Sequence, residues 1–144
     1  MRKKGKLPPT GPLTRSEVMS RVKAKDTTPE LKVRSFLHRS GLRFRIHAKS
    51  LPGKPDVVFP SRRCVVFIHG CFWHRHAGCA SCRTPKSRAE FWEKKFRDNV
   101  DRDKRVRLEL EKRGWKVIVY WECETNNMEN LKWLATTIKA MPTF

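Results

Sequence analysis

The segment 71–82, CFWHRHAGCASC, places three cysteines and two histidines within twelve residues. Thiolate and imidazole are the ligands that tetrahedral Zn²⁺ takes in proteins, and so dense a loop can supply three of the four. Cys123 is the candidate for the fourth ligand, because it comes just after an apolar segment with a strand pattern. Four protein ligands leave no open coordination position, so the pattern predicts a structural zinc site.

The zinc prediction leaves two questions open. The same residues are compatible with reduced core cysteines beside surface histidines, because free cysteine is often buried. Cys82 either replaces Cys79 as a ligand or is an additional thiol near the site. A disulfide framework is disfavoured, since the five cysteines are an odd number and no secretory signal is recognisable.

A second set of residues suits metal-assisted hydrolysis. Asp56, in the segment 53–59, GKPDVVF, stands at a strand entry, where a carboxylate can hold Mg²⁺ beside a phosphate. At the usual Asp/Glu-x-Lys position of a nuclease the chain offers 67–69, FIH, so a carboxylate and a lysine are missing. Either Asp56 holds the metal with a main-chain carbonyl and phosphate oxygens, or His69 neutralises charge as lysine would. A Pro-Asp pair is also common at turns, so this segment alone is a weak signal.

His74 lies inside the Cys/His segment and is spare if His76 binds the metal. A free imidazole can take a proton from water near pH 7, as the general base of a hydrolase must. The alternatives are a surface histidine or another zinc ligand.

Large aromatic residues accompany these candidates. Phe72, Trp73 and Trp92 lie in basic surroundings, where rings can wedge between base pairs. Core packing is the alternative, above all for Trp92, whose neighbour Phe91 is also apolar. The tryptophans in strand or helix patterns are assigned to the core: Trp115, Trp121 and Trp133.

The charge balance points to a polyanionic partner. Lys and Arg number 33 against 14 Asp and Glu, which gives a formal net charge of +19. Such a surface attracts nucleic acid first among the candidate partners. A hydrophobic share of 38% with eight Phe and five Trp argues against disorder throughout. No apolar run is long enough to span a bilayer, so we expect a cytoplasmic protein.

The predicted elements follow the order helix, strands, helix, strand, helix, which is typical of an α/β fold with a mixed central sheet flanked by helices. We expect a flexible basic arm at 1–12, able to lie along a phosphate backbone, and a single domain at 13–144. Thr28 is expected to cap a helix that starts at Pro29 and ends at Gly41. The other expected elements are a helix around Val18 and Val22, extended segments at 42–48, 56–59 and 63–69, a long helix from Ser87 to about Arg113 ended by Gly114, a buried strand Trp115–Trp121 and a helix Met128–Ala140.

The segments 51–56, LPGKPD, and 67–74, FIHGCFWH, resemble the very short patch repair endonucleases. The likeness extends from about Thr14 to Cys123. It continues in further segments: 90–92, EFW, the polar positions from Asn99 to Asp103, and 114–123, GWKVIVYWEC. A His-Gly-Cys-Phe-Trp-His run at this distance from Pro-Gly-x-Pro-Asp is hard to reach by chance.

The resemblance implies a restriction-endonuclease-like core with a structural zinc. It implies Mg²⁺-dependent nicking of double-stranded DNA 5′ to the thymine of a T:G mismatch, left when 5-methylcytosine deaminates, as the first step of very short patch repair. Mismatch-repair factors and a repair polymerase are the implied partners. A single nick needs only one active site, so we expect a monomer, working in the cytoplasm at the bacterial nucleoid.

The resemblance also assigns residues. Asp56 corresponds to the magnesium carboxylate, His74 to the general base and His69 to the histidine at the scissile phosphate. Asp103 is the acidic residue of the long helix best placed to orient His74, and Glu30 corresponds to an acidic residue near the active site. The implied zinc ligands are Cys71, His76, Cys79 and Cys123, and the implied DNA-contacting residues are Phe72, Trp73, Trp92 and Asn99.

The chain departs from the family pattern at two positions. Ile68 stands where some members have threonine, although its main-chain carbonyl could still reach magnesium. Cys82 is the additional thiol close to the metal loop.

Two other functions stay open on sequence grounds. One is a related nuclease with relaxed or different specificity, such as a restriction or defence enzyme. The other is a catalytically silent, zinc-stabilised DNA-binding module. Asp56, His69 and His74 argue against the second, because a binding module has no need of them.

Overall fold

The computed structural model describes residues 27–80 and 85–144. The expected arm at 1–12, the helix expected around Val18 and Val22, and the additional thiol of Cys82 lie outside the described residues. The described elements are α1 (Thr28–Arg39), β1 (Val57–Phe59), a 3₁₀ turn (Pro60–Arg62), β2 (Cys64–His69), α2 (Ala89–Lys112), β3 (Lys116–Trp121), a second 3₁₀ segment (Glu122–Asn126) and α3 (Met128–Lys139).

The described strands form one mixed sheet in the order β1-β2-β3. β1 pairs antiparallel with β2, and β2 pairs parallel with β3. A parallel pair requires a long crossover, which the helix α2 provides. All six residues of β2 are buried, as its uninterrupted apolar run predicts. The expected α/β fold with a mixed central sheet is therefore confirmed.

Helices cover both faces of this sheet. On one face Val66 and Ile68 of β2 belong to a buried cluster with residues of α1 and α3, such as Leu37 and Leu134. On the other face the buried side chains of β1 and β2 pack against Leu110 of α2. Successive strand side chains point to opposite faces, so both faces of the central strand are apolar. The long charged helix α2 thus lies on one side of the sheet and the shorter helices on the other.

Two expectations about strands were wrong. In the segment 42–48 only Arg45 pairs with the sheet, through two backbone hydrogen bonds with Val58 of 2.8 and 2.9 Å. His47 has a φ of 54°, a left-handed conformation that ends the extended course. β3, expected to be a buried strand, lies at the edge of the described sheet, and Tyr120 is its only buried residue.

Two further details differ from expectation, and one agrees. The N-cap of α1 is Thr27 rather than Thr28, and Pro29 occupies the first turn. Trp133, assigned to the core, is 58% exposed because it lies on the outer face of α3. Gly41 ends α1 as predicted: it has a φ of 87°, and the following Leu42 N–H donates to the Leu37 carbonyl.

Within the described residues, no helix combines the length and the apolar character that crossing a membrane requires.

The turn that precedes Asp56 is fitted against α2. Gly53 has a φ of 72°, where residues with a Cβ are strained. A Cβ built on Gly53 would overlap the side chain of Val106 on α2. The segment 53–56 therefore depends on glycine for its backbone conformation and for its close approach to the helix.

Replacement of this glycine tests that fit. Gly53→Ala is expected to lower the free energy of unfolding by about 2–4 kcal/mol, since left-handed strain costs about 1–2 kcal/mol and overpacking about 1–3 kcal/mol. Gly41→Ala is the control, because Gly41 has a φ of 87° and no atom within 4 Å of an added Cβ. It should lose only about 1 kcal/mol. Chemical denaturation measures both. Equal losses in the two variants would contradict the contact with Val106.

Candidate active site and metal centre

A cleft of about 840 Å³ opens between the carboxyl end of β2 and the helix α2. Side chains of five separate segments meet there, although they are far apart in the sequence. The lining includes eight candidate site residues from the sequence: Glu30, Asp56, Ile68, His69, Trp73, His74, Asn99 and Asp103. The structure thus brings the predicted hydrolytic residues into one place.

Asp56 is held beside the central strand. The backbone N–H of Ile68 donates to Asp56 Oδ2 at 2.7 Å. Burial raises the pKa of Asp56 to about 6; the hydrogen bond from Ile68 opposes that rise, and the nearby Glu30 adds to it. A negative charge at Asp56 is therefore costly unless a cation accompanies it. A hard divalent cation such as Mg²⁺ fits a carboxylate in this condition.

Two histidines stack in the cleft. The rings of His69 and His74 lie parallel, with their centroids 3.9 Å apart. Asp103 Oδ2 lies 2.6 Å from His74 Nδ1. If Nδ1 donates its proton to this carboxylate, Nε2 of His74 keeps the lone pair that a general base uses.

His69 is buried, whereas the neighbouring His74 is only half-buried. Burial, and next the proximity of His74, lower the pKa of His69 to about 4. The buried ring is therefore neutral near pH 7 in the absence of DNA. A neutral ring can donate one N–H hydrogen bond, but it does not carry the full positive charge that replacement of a lysine would require.

Behind Asp56 lies an ion pair that the sequence analysis did not identify. Arg34 donates to Glu30 Oε2 at 3.0 Å, and both side chains are nearly buried. The positive charge of Arg34 lowers the pKa of Asp56, whereas the negative charge of Glu30 raises it. The spacing of four residues on a predicted helix was the available signal, because such residues lie on the same face.

The four predicted metal ligands come together outside the cleft. Cys71, His76, Cys79 and Cys123 each offer one ligand atom, and these atoms lie within 4.8 Å of one another. His76 Nδ1 is 3.5 Å from Cys123 Sγ. We call this group the Cys/His cluster. Its donor set is that of a structural zinc site.

The raised pKa values of the cluster cysteines are also consistent with a bound cation. Burial raises the pKa of Cys71 to about 12 and also raises the pKa of Cys123. Neutral thiols are thus favoured when no cation is near, whereas a bound Zn²⁺ stabilises the thiolates. The cluster therefore fits zinc by donor type and by number of ligands.

Next to the cluster, aromatic rings pack against α2. Phe72 contacts Trp73, Trp92 and Phe96 with centroids 5.1, 5.9 and 5.2 Å away. We call these four residues the aromatic group. Trp92 is only 5% exposed, so it lies beneath Phe72 and Trp73, which are half-buried. Asn99 Nδ2 donates to the main-chain carbonyl of Trp73 at 3.3 Å and fastens the loop to the helix.

Comparison with known proteins identifies the family. The profile of the family described as DNA mismatch endonuclease Vsr matches residues 10–81. The Type II nicking enzyme V.XorIIP of Xanthomonas oryzae pv. oryzae is 50% identical over 121 residues, which are 84% of this chain and 88% of that protein. The chain belongs to the Vsr family. The resemblance that its motifs carry is thereby confirmed, and this Vsr-family protein is a DNA endonuclease.

Other relatives of this Vsr-family endonuclease agree. The DNA mismatch endonuclease Vsr of Escherichia coli is 44% identical over 118 residues, covering 82% of this chain and 75% of that protein. The Type II nicking enzyme V.NmeAIP of Neisseria meningitidis is 49% identical over 113 residues, covering 78% and 80%. One of these three relatives is named a mismatch endonuclease and two are named nicking enzymes.

Substitution at the Cys/His cluster tests its structural role in the Vsr-family chain. Cys123→Ser should lower the bound zinc and reduce the melting temperature by about 10 °C or more, because metal binding contributes directly to folding. Metal analysis and calorimetry measure both. Cys64→Ala is the control, since Cys64 is buried in the core away from the cluster and its loss should leave the zinc content unchanged. A Cys123→Ser protein that is folded, stable and zinc-free would contradict a structural metal.

The pKa of Asp56 predicts a pH-dependent stability. The folded-state pKa of about 6 exceeds the ordinary value of 3.8, so the folded protein binds the proton more tightly and loses stability as the pH rises through this range. In the absence of Mg²⁺, Asp56→Asn should therefore be more stable than the wild type by about 2 kcal/mol at pH 8, and by less at pH 5. Urea unfolding at the two pH values measures the difference.

Asp98→Asn is the control for this measurement, because Asp98 is an exposed acid on α2. It should change the stability little at either pH. An Asp56→Asn protein that is less stable than the wild type at pH 8 would show that burial does not penalise the charge of Asp56.

Proposed function

We propose that this endonuclease nicks double-stranded DNA 5′ to the thymine of a T:G mismatch, in a Mg²⁺-dependent hydrolysis that starts very short patch repair. The observation that carries the proposal is the meeting of Asp56, His69 and the His74–Asp103 pair in one cleft, beside half-buried aromatic rings. The fold belonging to this function is a restriction-endonuclease-like core stabilised by zinc at the Cys/His cluster.

Asp56 would hold the magnesium ion, together with the main-chain carbonyl of Ile68. Mg²⁺ bound there supplies a positive charge that stabilises the developing charge on the phosphate. The raised pKa of Asp56 supports this assignment, since burial of the carboxylate outweighs the opposing effect of the Arg34 charge. Glu30 and Arg34 set the charge immediately behind it.

His74 takes the proton from the attacking water. Asp103 accepts a hydrogen bond from Nδ1, and this contact fixes the ring and leaves Nε2 as the base. His69 stacks on His74 and donates an N–H to a phosphate oxygen. In-line attack then leaves a 5′-phosphate and a 3′-hydroxyl on the nicked strand.

The aromatic group supplies the preference for a mismatch. Inserting rings between base pairs costs unstacking energy, and the cost is smaller where a mismatch already weakens the stack. Phe72 and Trp73 are the accessible wedges, while Trp92 supports them from below. Asn99 holds the segment that carries Phe72 and Trp73 in place by donating a hydrogen bond to the main-chain carbonyl of Trp73.

The surroundings of the reaction follow from the substrate. A protein with a net charge of +19 binds phosphates along the duplex, with an affinity that falls as salt rises. We infer a monomer acting on DNA in the bacterial cytoplasm, with mismatch-repair factors and a repair polymerase acting in the same pathway. A DNA-nicking enzyme with a different preferred context is the second candidate, because several relatives are named Type II nicking enzymes.

Cleavage of labelled duplexes tests the proposal. Duplexes carrying T:G, T:T or T:A at one position, in several flanking contexts, are incubated with and without Mg²⁺. The expected product is a nick 5′ to the mismatched thymine that requires Mg²⁺. Equal cutting of T:G and T:A would support the second candidate, and binding without cutting would favour a silent binding module.

The Asp56→Asn protein should bind the T:G duplex about as tightly as the wild type but nick it at least about a hundredfold more slowly, because its side chain cannot neutralise the metal charge. Gel-shift and single-turnover assays on the same preparation separate the two properties. Asp98→Asn again serves as the control and should nick normally. Wild-type nicking by Asp56→Asn would remove Asp56 from the magnesium site.

A further inference from the structure

The three consecutive side chains at positions 74–76 reach three different parts of the molecule. His74 contacts Asp103 in the cleft, at 2.6 Å. Arg75 places its guanidinium 4.1 Å from the centroid of the Phe96 ring. His76 belongs to the Cys/His cluster. Arg75 has a φ of 55°, and this left-handed turn allows its two neighbours to face different sites.

Phe96 links Arg75 to the aromatic group. It is only 5% exposed, and its ring lies 5.2 Å from Phe72 and 5.7 Å from Trp92. A guanidinium over an aromatic face is attracted by the electron density of the ring, more strongly when both are shielded from water. Arg75 is itself half-buried, so it holds the loop onto the most buried part of the aromatic group.

The covalent chain makes this contact relevant to the chemistry. Trp73, at one side of His74, belongs to the aromatic group, and Arg75, at the other side, rests on it. Neighbouring Cα atoms are only about 3.8 Å apart, so movement of both flanking residues must move the histidine between them. The aromatic group and the proposed general base are therefore mechanically coupled through this short segment.

We propose that Arg75 is a positioning residue that fixes His74 relative to the aromatic group, so that insertion of the rings at a mismatch brings the general base to the scissile phosphate. The proposal rests on the proposed function. It goes further by assigning to Arg75 the coupling between recognition of the mismatch and hydrolysis. Arg75 acts through Phe96, and it is not among the described residues that line the cleft.

The chain contains a matched control for this residue. Arg88 has a φ of 56°, and its guanidinium lies 4.7 Å from the centroid of the Phe91 ring. The two arginines thus share backbone conformation, charge and type of contact. They differ in place, because Arg88 precedes α2 far from His74 in the chain and Phe91 is 46% exposed.

Arg75→Gly and Arg88→Gly are compared with the wild type. Glycine adopts a positive φ without strain, so each variant keeps its turn and loses one guanidinium. Two quantities are measured: the dissociation constant for T:G and T:A duplexes, and the single-turnover nicking rate at saturating enzyme. The second quantity excludes differences in binding.

Arg75→Gly should slow nicking of the T:G duplex at saturation by about tenfold or more, because a small displacement of a catalytic group is costly. It should also reduce the ratio of T:G to T:A rates. Arg88→Gly should weaken binding to a similar degree and keep the saturated rate within about twofold of the wild type. Arg75→Lys should recover most of the rate, since an ammonium also interacts with the ring face.

Equal behaviour of the two glycine variants at saturation would overturn the proposal and leave Arg75 as one more basic residue. Zinc content and melting temperature are measured first, and the pair Arg75→Gln and Arg88→Gln replaces the glycine pair if Arg75→Gly loses zinc. The proposed function fails separately, if the wild type itself does not prefer T:G.

Discussion

The parallel pairing of β2 with β3 is the interaction on which both sites depend. The pairing sets His69 opposite Trp121, so the segments that follow the two strands leave the sheet side by side. Cys71 and Cys123 therefore start only a few ångströms apart, although 51 residues separate them along the chain. The Cys/His cluster forms where these two segments leave the sheet, and the cleft opens next to it. Since β2 is buried on both faces, packing of the core fixes the position of the carboxyl end of this strand.

Trp121 shows how closely the two sites are joined. The ring of His76, from the cluster, stacks on Trp121 with centroids 4.2 Å apart, and the ring of His69, from the cleft, meets Trp121 edge-on at 5.4 Å. One side chain at the end of β3 thus supports a predicted metal ligand and a predicted catalytic residue. A structural metal at the cluster would hold the loop 71–79 and, through it, the position of His74.

The cleft also illustrates how a site can work against stability. Asp56 lies where burial disfavours its charge, and His69 lies where burial disfavours protonation. The charge of Asp56 costs stability because it lies away from water, and His69 avoids the same cost by remaining neutral near pH 7. The folded protein tolerates both because the apolar clusters on the two faces of the sheet hold the strands in place. A cation and a phosphate arriving together would satisfy groups that the free protein leaves poorly compensated.

Motifs and apolar patterns were enough to predict the family, the α/β order of elements, the central strand and the residue types that could do chemistry, because this information is local in the sequence. It did not determine that segment 42–48 makes only one bridge, that β3 lies at an edge, or that Trp133 is exposed, since these depend on which surfaces other elements cover. The Glu30–Arg34 pair behind Asp56, the stacking of His69 on His74 and the place of Arg75 over Phe96 were likewise decided only in three dimensions. Contacts between segments that are distant in the sequence arise when the elements pack together. A single sequence shows which residue types are present, but it does not show which of these residues come into contact.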